Sequence, residues 1–135
     1  MPRILVVDDS ESVLAFVASV LQRESYEVVS TSSGAGALEI LRKDRVDLVI
    51  TDIHMPLPTG LEVISRVREM NLDVPFIVIS SYPSPLNMFI AARGLGAQIA
   101  LAKPITSQEL IAAVQAVLDK NYGAMVWNGD RKPAG

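Results

Sequence analysis

The sequence predicts an α/β fold, a doubly wound five-stranded parallel sheet with helices on both faces, and three observations carry that prediction. Five short apolar runs, residues 4–7, 28–31, 48–51, 76–79 and 98–102, alternate with longer segments of helical period. The runs are largely apolar, as expected for parallel strands covered on both sides. Helix-start signals recur in the gaps between them.

In chain order, the first run ends at Asp8-Asp9. Val13, Leu14, Val17, Val20 and Leu21 then recur at spacings of one, three and four, which is one stripe of a first helix. After the second run, Leu38, Ile40 and Leu41 make a weaker stripe. The third run ends at Asp52. Thr59 with Glu62 has capping-box spacing and opens a third helix along Leu61, Ile64 and Val67. The fourth run ends at Ser80, Ser84-Pro85 sets a cap before a proline at the first helical position, and Gly94 and Gly96 follow the helix as its stop. The fifth run meets Lys103-Pro104, and Thr106 with Glu109 repeats the capping box. Residues 1–120 are expected to form one domain. Residues 121–135 lose the periodicity, and a loosely held tail is expected there, with Met125, Val126 and a partly exposed Trp127 lying on the last helix.

Composition narrows the function. Half of the 135 residues are hydrophobic, enough for one core of ordinary size. With 12 Lys and Arg against 15 Asp and Glu, the formal charge of -3 provides no basic field for nucleic acid or an anionic membrane. Arg42, Lys43, Arg45, Arg66 and Arg68 read as solvated helix exteriors. The absence of cysteine excludes thiol chemistry and disulfides, and the single His54 excludes a multi-histidine metal centre. The N-terminus has no secretory pattern and no apolar stretch approaches membrane-spanning length, so a cytoplasmic protein is expected.

Position gives the polar residues their meaning. In parallel strands, Asp8, Asp9, Asp52, Ser80 and Lys103 all arrive at the carboxyl edge of one sheet, where open α/β folds build their sites. An Asp-Asp pair taken alone is more often a helix cap. Asp52 alters that balance, because the first and third strands of a doubly wound sheet are neighbours. Three crowded carboxylates repel unless a cation relieves them, and an all-oxygen acidic set suits Mg²⁺. Asp52 can then act as a carboxylate nucleophile toward phosphorus, with Lys103 offsetting charge on the transferring oxygens and the Ser80 hydroxyl donating to one of them.

These residues resemble the receiver domain of two-component response regulators, a CheY-like family. The resemblance rests on Ile4-Leu5-Val6-Val7-Asp8-Asp9, on Thr51-Asp52-Ile53-His54-Met55-Pro56 with Gly60, on Ser80, and on Gly96-Ala97 through Lys103-Pro104. It implies a flavodoxin-like strand order 2-1-3-4-5. It also implies that Asp52 is the phosphoacceptor and that Asp8, Asp9, Asp52 and the His54 backbone carbonyl hold Mg²⁺. Ser80 would be the switch hydroxyl, Lys103 the phosphoryl-contacting lysine, and the Lys103-Pro104 bond cis. The implied partners are a histidine kinase or phosphotransfer protein upstream, and a downstream protein or a second copy docking on the face of the fourth helix, fifth strand and fifth helix.

One departure is plain. Receivers commonly carry Tyr or Phe three residues before the lysine, and here that residue is Ala100. The aromatic half of the usual switch is missing. Tyr82 is a candidate replacement on a loop stiffened by Pro83 and Pro85, and His54, Ser81, Tyr82 and Ala100 are the residues expected to modulate the site. The apolar segments 86–95 and 110–118, with Ala100 between them, are expected to form a flat, small-residue face fit for an interface. Two further readings compete with phosphoacceptance. One is a phosphorylation-independent interaction module on the same fold. The other, a Mg²⁺-dependent phosphatase, is disfavoured because a second acid is expected two residues after the nucleophile, where His54 stands. No output domain is recognisable, so the receiver acts alone through protein contacts or belongs to a longer chain.

Overall fold

Residue parity within each strand decides which layer of the core it serves. The computed structural model describes residues 1–81 and 86–120, the side chains of 86–89 excepted. Its elements run β1 (Arg3–Val7), α1 (Glu11–Arg23), β2 (Glu27–Thr31), α2 (Gly34–Lys43), β3 (Leu48–Asp52), α3 (Gly60–Glu69), β4 (Phe76–Ser81), α4 (Leu86–Gly94), β5 (Ile99–Lys103) and α5 (Ser107–Leu118). All pairings are parallel, in the order β2-β1-β3-β4-β5. The strand order implied by the resemblance is the one observed.

Ile4, Val6, Leu48, Ile50, Ile77, Ile79, Ile99 and Leu101 point to one side, where they pack with Val17, Val20 and Leu21 of α1 and Leu110, Ala113, Val114 and Val117 of α5. Their neighbours Leu5, Val7, Val49, Phe76, Val78 and Ala100 point to the other, against α2, α3 and Ala92 of α4. Burial on both faces explains the continuous apolar runs. Both capping boxes form, Thr59 with Glu62 and Thr106 with Glu109, and each stabilises its helix start by about 1 kcal/mol.

Four expectations need correction. Gln98 lies outside β5; it precedes the strand and pairs with Phe76 through its backbone amide (2.9 Å) and its side-chain oxygen (2.8 Å). Gly94 is the last residue of α4 rather than its stop. The stop is Gly96, at φ +99, where Gly96 N bonds Arg93 O and Ala97 N bonds Ala92 O, a Schellman ending that needs left-handed backbone. Ala100 does not contribute to an exposed face. It is fully buried in the core layer that holds Ala92 and Ala97.

Arg68 is the fourth. Its guanidinium donates to Leu95 O (3.3 Å), Gly96 O (3.4 Å), Leu72 O (3.0 Å) and Val74 O (2.9 Å), and lies 5.4 Å from the Phe76 ring centroid. It clamps carbonyls rather than facing water. Of the outward apolar surface, Ile90 on α4 is exposed, while α5 turns Leu110, Ala113, Val114 and Val117 inward and leaves Ile111 and Leu118 half-buried. Tyr82, Pro83, the Ser84-Pro85 cap, the side chains of Met88 and Phe89, and the tail with Met125, Val126 and Trp127 fall outside the described residues.

Candidate functional site

Register brings the ends of four strands level. Val7 pairs with Thr51 across β1 and β3, so the next residues, Asp8 and Asp52, stand side by side. Asp52 lies opposite Ile79, which precedes Ser80, and Ser81 lies opposite Lys103. Asp8, Asp9 and Asp52 each offer a carboxylate oxygen within 4.8 Å of the others. Asp8 and Asp52 are buried, and Asp9 is exposed at the rim.

Local structure aims these groups. Ser10 is the N-cap of α1, its hydroxyl accepting from Val13 N at 3.4 Å, so neither aspartate is used as the cap. Asp8 Oδ1 accepts from Ser10 N at 2.8 Å, which fixes the carboxylate and leaves Oδ2 pointing into the cluster. Asp52 Oδ1 accepts from His54 N at 3.0 Å. Beyond it Gly60 lies so close that a Cβ there would sit 2.2 Å from Asp52 O, a distance no side chain tolerates. The glycine lets the chain fold back over the nucleophile candidate.

Lys103 Nζ lies between two carboxylates, donating to Asp52 Oδ2 at 3.0 Å and facing Asp8 Oδ2 at 3.1 Å. Burial opposes the Lys103 ammonium, but Asp52 and Asp8 together raise its pKa above the ordinary lysine value. Burial likewise raises Asp52 above the usual carboxylate range, aided by repulsion from Asp8 and only partly opposed by Lys103 and the His54 amide. Asp8 Oδ2 is buried, and its contact with Lys103 is an ion pair without hydrogen-bond alignment. Three carboxylates thus gather where one ammonium faces two of them, and a buried Asp8 oxygen has no hydrogen bond. Such an oxygen-only acidic set fits a hard divalent cation such as Mg²⁺.

The remaining site residues fall as follows. Ser80 is fully buried at the end of β4, its hydroxyl 3.5 Å from Ser81 O, and Ser81 is exposed. His54 is exposed on the loop after β3. The Lys103-Pro104 bond is cis, as the resemblance implied; Leu57-Pro58 is also cis, which the sequence reading did not anticipate. The cap at Ser10 and the carbonyl clamp at Arg68 are two contacts that sequence reasoning missed. A Ser before Glu11 and three residues before Val13 was a legible cap signal; nothing in residue type marks a carbonyl clamp. A hollow of about 460 Å³, bordered by Val13, Phe16, Ser81, Lys103, Pro104 and Ile105, opens beside the lysine.

The profile of the response regulator receiver domain matches residues 4–115. The chain belongs to that family. Among curated relatives, this receiver is 38% identical over 117 residues to the transcriptional regulatory protein PrrA of Mycobacterium tuberculosis, covering 87% of the chain and 50% of PrrA. It is 30% identical over 119 residues to the alkaline phosphatase synthesis transcriptional regulatory protein PhoP of Bacillus subtilis, covering 88% and 49%. The chain spans about half the length of these relatives. Among solved structures, the chemotaxis protein CheY4 of Vibrio cholerae superposes with a TM-score of 0.81 at 31% identity, covering 87% of this chain and 98% of that one. A putative response regulator from Chloroflexus aurantiacus gives 0.82 at 31%, covering 88% and 99%. Receivers are signalling modules rather than metabolic enzymes, and they bind Mg²⁺ at an acidic pocket of the kind formed here. Among the described residues no helix is long and apolar enough to cross a membrane.

Proposed function

We propose that this receiver takes a phosphoryl group onto Asp52 from a histidine kinase or phosphotransfer protein, in a Mg²⁺-dependent reaction, and thereby switches its affinity for a downstream protein or for itself in the cytoplasm. The observation that carries the reading is Lys103 Nζ poised at 3.0 Å from Asp52 and 3.1 Å from Asp8 while three carboxylates crowd one edge. An Asp52 oxygen attacks phosphorus, the O–P bond forms as the donor's P–N bond breaks, and the departing imidazole takes up a proton. Lys103 offsets charge on the equatorial oxygens and the Ser80 hydroxyl donates to one of them. Asp8, Asp9, Asp52 and the His54 backbone carbonyl would hold the Mg²⁺, which neutralises phosphoryl charge when bound.

Phosphorylation replaces the single negative charge of the Asp52 carboxylate with the roughly two of a phosphoryl group placed further into the pocket, and the Ser80 and Lys103 loops rearrange in response. The hollow beside Lys103, with Phe16 half exposed at its edge, supports docking of the donor protein next to the acceptor. Exposed Ile90 supports an output surface on α4, β5 and α5. Incubation with a small phosphodonor and Mg²⁺ tests the reading by intact mass. Gain by the wild type and none by Asp52→Ala is expected; no gain, or equal gain, would overturn it.

A constitutive interaction module is the second reading. Buried Ala100 favours it, because no aromatic ring stands there to report the state of Ser80. The same mass measurement, together with partner affinity that ignores the phosphodonor, would establish it.

A further inference from the structure

Helix α4 is fastened at its C-terminal end by a group from another helix. Its N-terminal end follows the segment that leaves β4 at Ser80 and Ser81, beside the candidate phosphoacceptor. Of its described side chains, Ile90 to Gly94, only Ala92 is buried, and it sits in a core layer with the equally small Ala97 and Ala100. At Ala92 the helix thus meets this layer through a small side chain.

The C-terminal end is fastened. The Schellman bonds satisfy the Ala92 and Arg93 carbonyls, and the carbonyls of Leu95 and, just beyond the helix, Gly96 stand at its negative end. Arg68 of α3 donates to both of these and, with the same guanidinium, to Leu72 O and Val74 O on the connection into β4. It also lies over the Phe76 ring at the start of that strand. Gly96 completes the fit, since a Cβ there would stand 3.3 Å from an Arg68 terminal nitrogen. Four carbonyls from two segments therefore converge on one planar, always-charged group, an arrangement that a lysine's point charge cannot reproduce.

We infer that Arg68 is a positioning residue that makes the C-terminal end of α4 the stationary end, so that a change at Ser80 and Lys103 moves the N-terminal end of the helix about it. With both ends free, rearrangement at the site would shift α4 as a whole and dissipate. With one end pinned, the same displacement becomes a rotation of the exposed surface around Ile90. The inference rests on the phosphoacceptor reading for its trigger, but the pin itself is a property of the resting protein.

Hydrogen exchange by mass spectrometry on the full chain tests it, for wild type, Arg68→Lys and Arg68→Met, with and without beryllofluoride and Mg²⁺. Bound beryllofluoride is followed separately by its fluorine resonance. In the wild type, the activator should alter exchange over residues 81–90 and leave residues 95–98 unchanged. In Arg68→Lys the amides of 95–98 should exchange roughly tenfold faster before any activator is added. The activator should then change exchange along the whole helix at unaltered beryllofluoride occupancy. A destabilised Arg68→Met would also expose the core strands to exchange, whereas loss of the pin in Arg68→Lys stays local. Wild-type exchange at 95–98 that responds as strongly as at 81–90, or an Arg68→Lys pattern identical to wild type, would overturn the inference. Absence of a bound-fluoride signal in the wild type would instead refute the phosphoacceptor reading, with the resting comparison of Arg68→Lys still deciding whether the end is pinned.

Discussion

Replacing Lys103 with Met retains the apolar stem and removes the ammonium that two carboxylates share. Asp8 Oδ2 is buried and lies 3.1 Å from that nitrogen, and Asp52 Oδ2 lies 3.0 Å from it with 6% side-chain exposure. Removing one partner of a buried pair costs about 3–5 kcal/mol. The Lys103 side chain retains 21% exposure, so water recovers part of this and a loss of roughly 2–3 kcal/mol is expected in chelator at neutral pH. For a domain of this size that corresponds to a fall in Tm of about 10 °C. Urea unfolding followed by far-ultraviolet circular dichroism measures it.

The pH dependence has a definite sign. The Lys103 pKa is raised on folding, so its stabilisation is complete below the ordinary lysine value and is lost only as pH rises through the folded one. Asp52 is also raised, chiefly by burial, so its ionised form costs stability; the penalty is full above its folded pKa and fades as pH falls toward the ordinary carboxylate range. The deficit of Lys103→Met should therefore shrink on mild acidification, shrink again in an Asp52→Asn background, and shrink on adding Mg²⁺. A neutral-pH cost under about 0.5 kcal/mol, or one indifferent to Asp52→Asn, would refute the claim that this amine neutralises the pair.

Other outcomes follow from the same geometry. Mg²⁺ at about a hundred times its Kd should stabilise the wild type by roughly 2.7 kcal/mol in thermal unfolding, and Asp9→Asn, altered only at the exposed rim, should fold normally and lose most of that gain. Gly60→Ala would place a methyl 2.2 Å from Asp52 O and 2.9 Å from Ile53 Cα, so it should cost upward of about 2 kcal/mol and slow phosphodonor labelling by moving the acceptor; full stability with normal labelling would show that the loop has slack. Ala100→Tyr introduces a ring where the side chain is fully buried in the layer with Ala92, and should destabilise by about 1–3 kcal/mol in urea rather than restore a swinging aromatic.

Much of this is legible in the sequence because it is local or periodic. The runs at Leu5 and Val49 announce strands, Thr59 with Glu62 announces a helix start, and parallel strands oblige Asp8, Asp52 and Lys103 to share an edge. What stayed hidden depends on partners distant in sequence. Arg68 looks like any helix-surface arginine until its acceptors, 27 and 28 residues away, are folded against it. Ala100 reads as a surface gap only while the depth of β5 is unknown; in the fold its side chain is fully buried in the layer that holds Ala92 and Ala97. Gly94 and Gly96 are equivalent in composition, and only the left-handed turn at Gly96 shows which one ends α4.

The whole reading depends on which oxygen becomes phosphorylated. Borohydride reduction of the phosphodonor-treated protein converts an aspartyl phosphate to homoserine, and tandem mass spectrometry then reads the position. Homoserine at position 52, dependent on Mg²⁺, is the expected result; homoserine at position 8 or 9, or none at all, would contradict it.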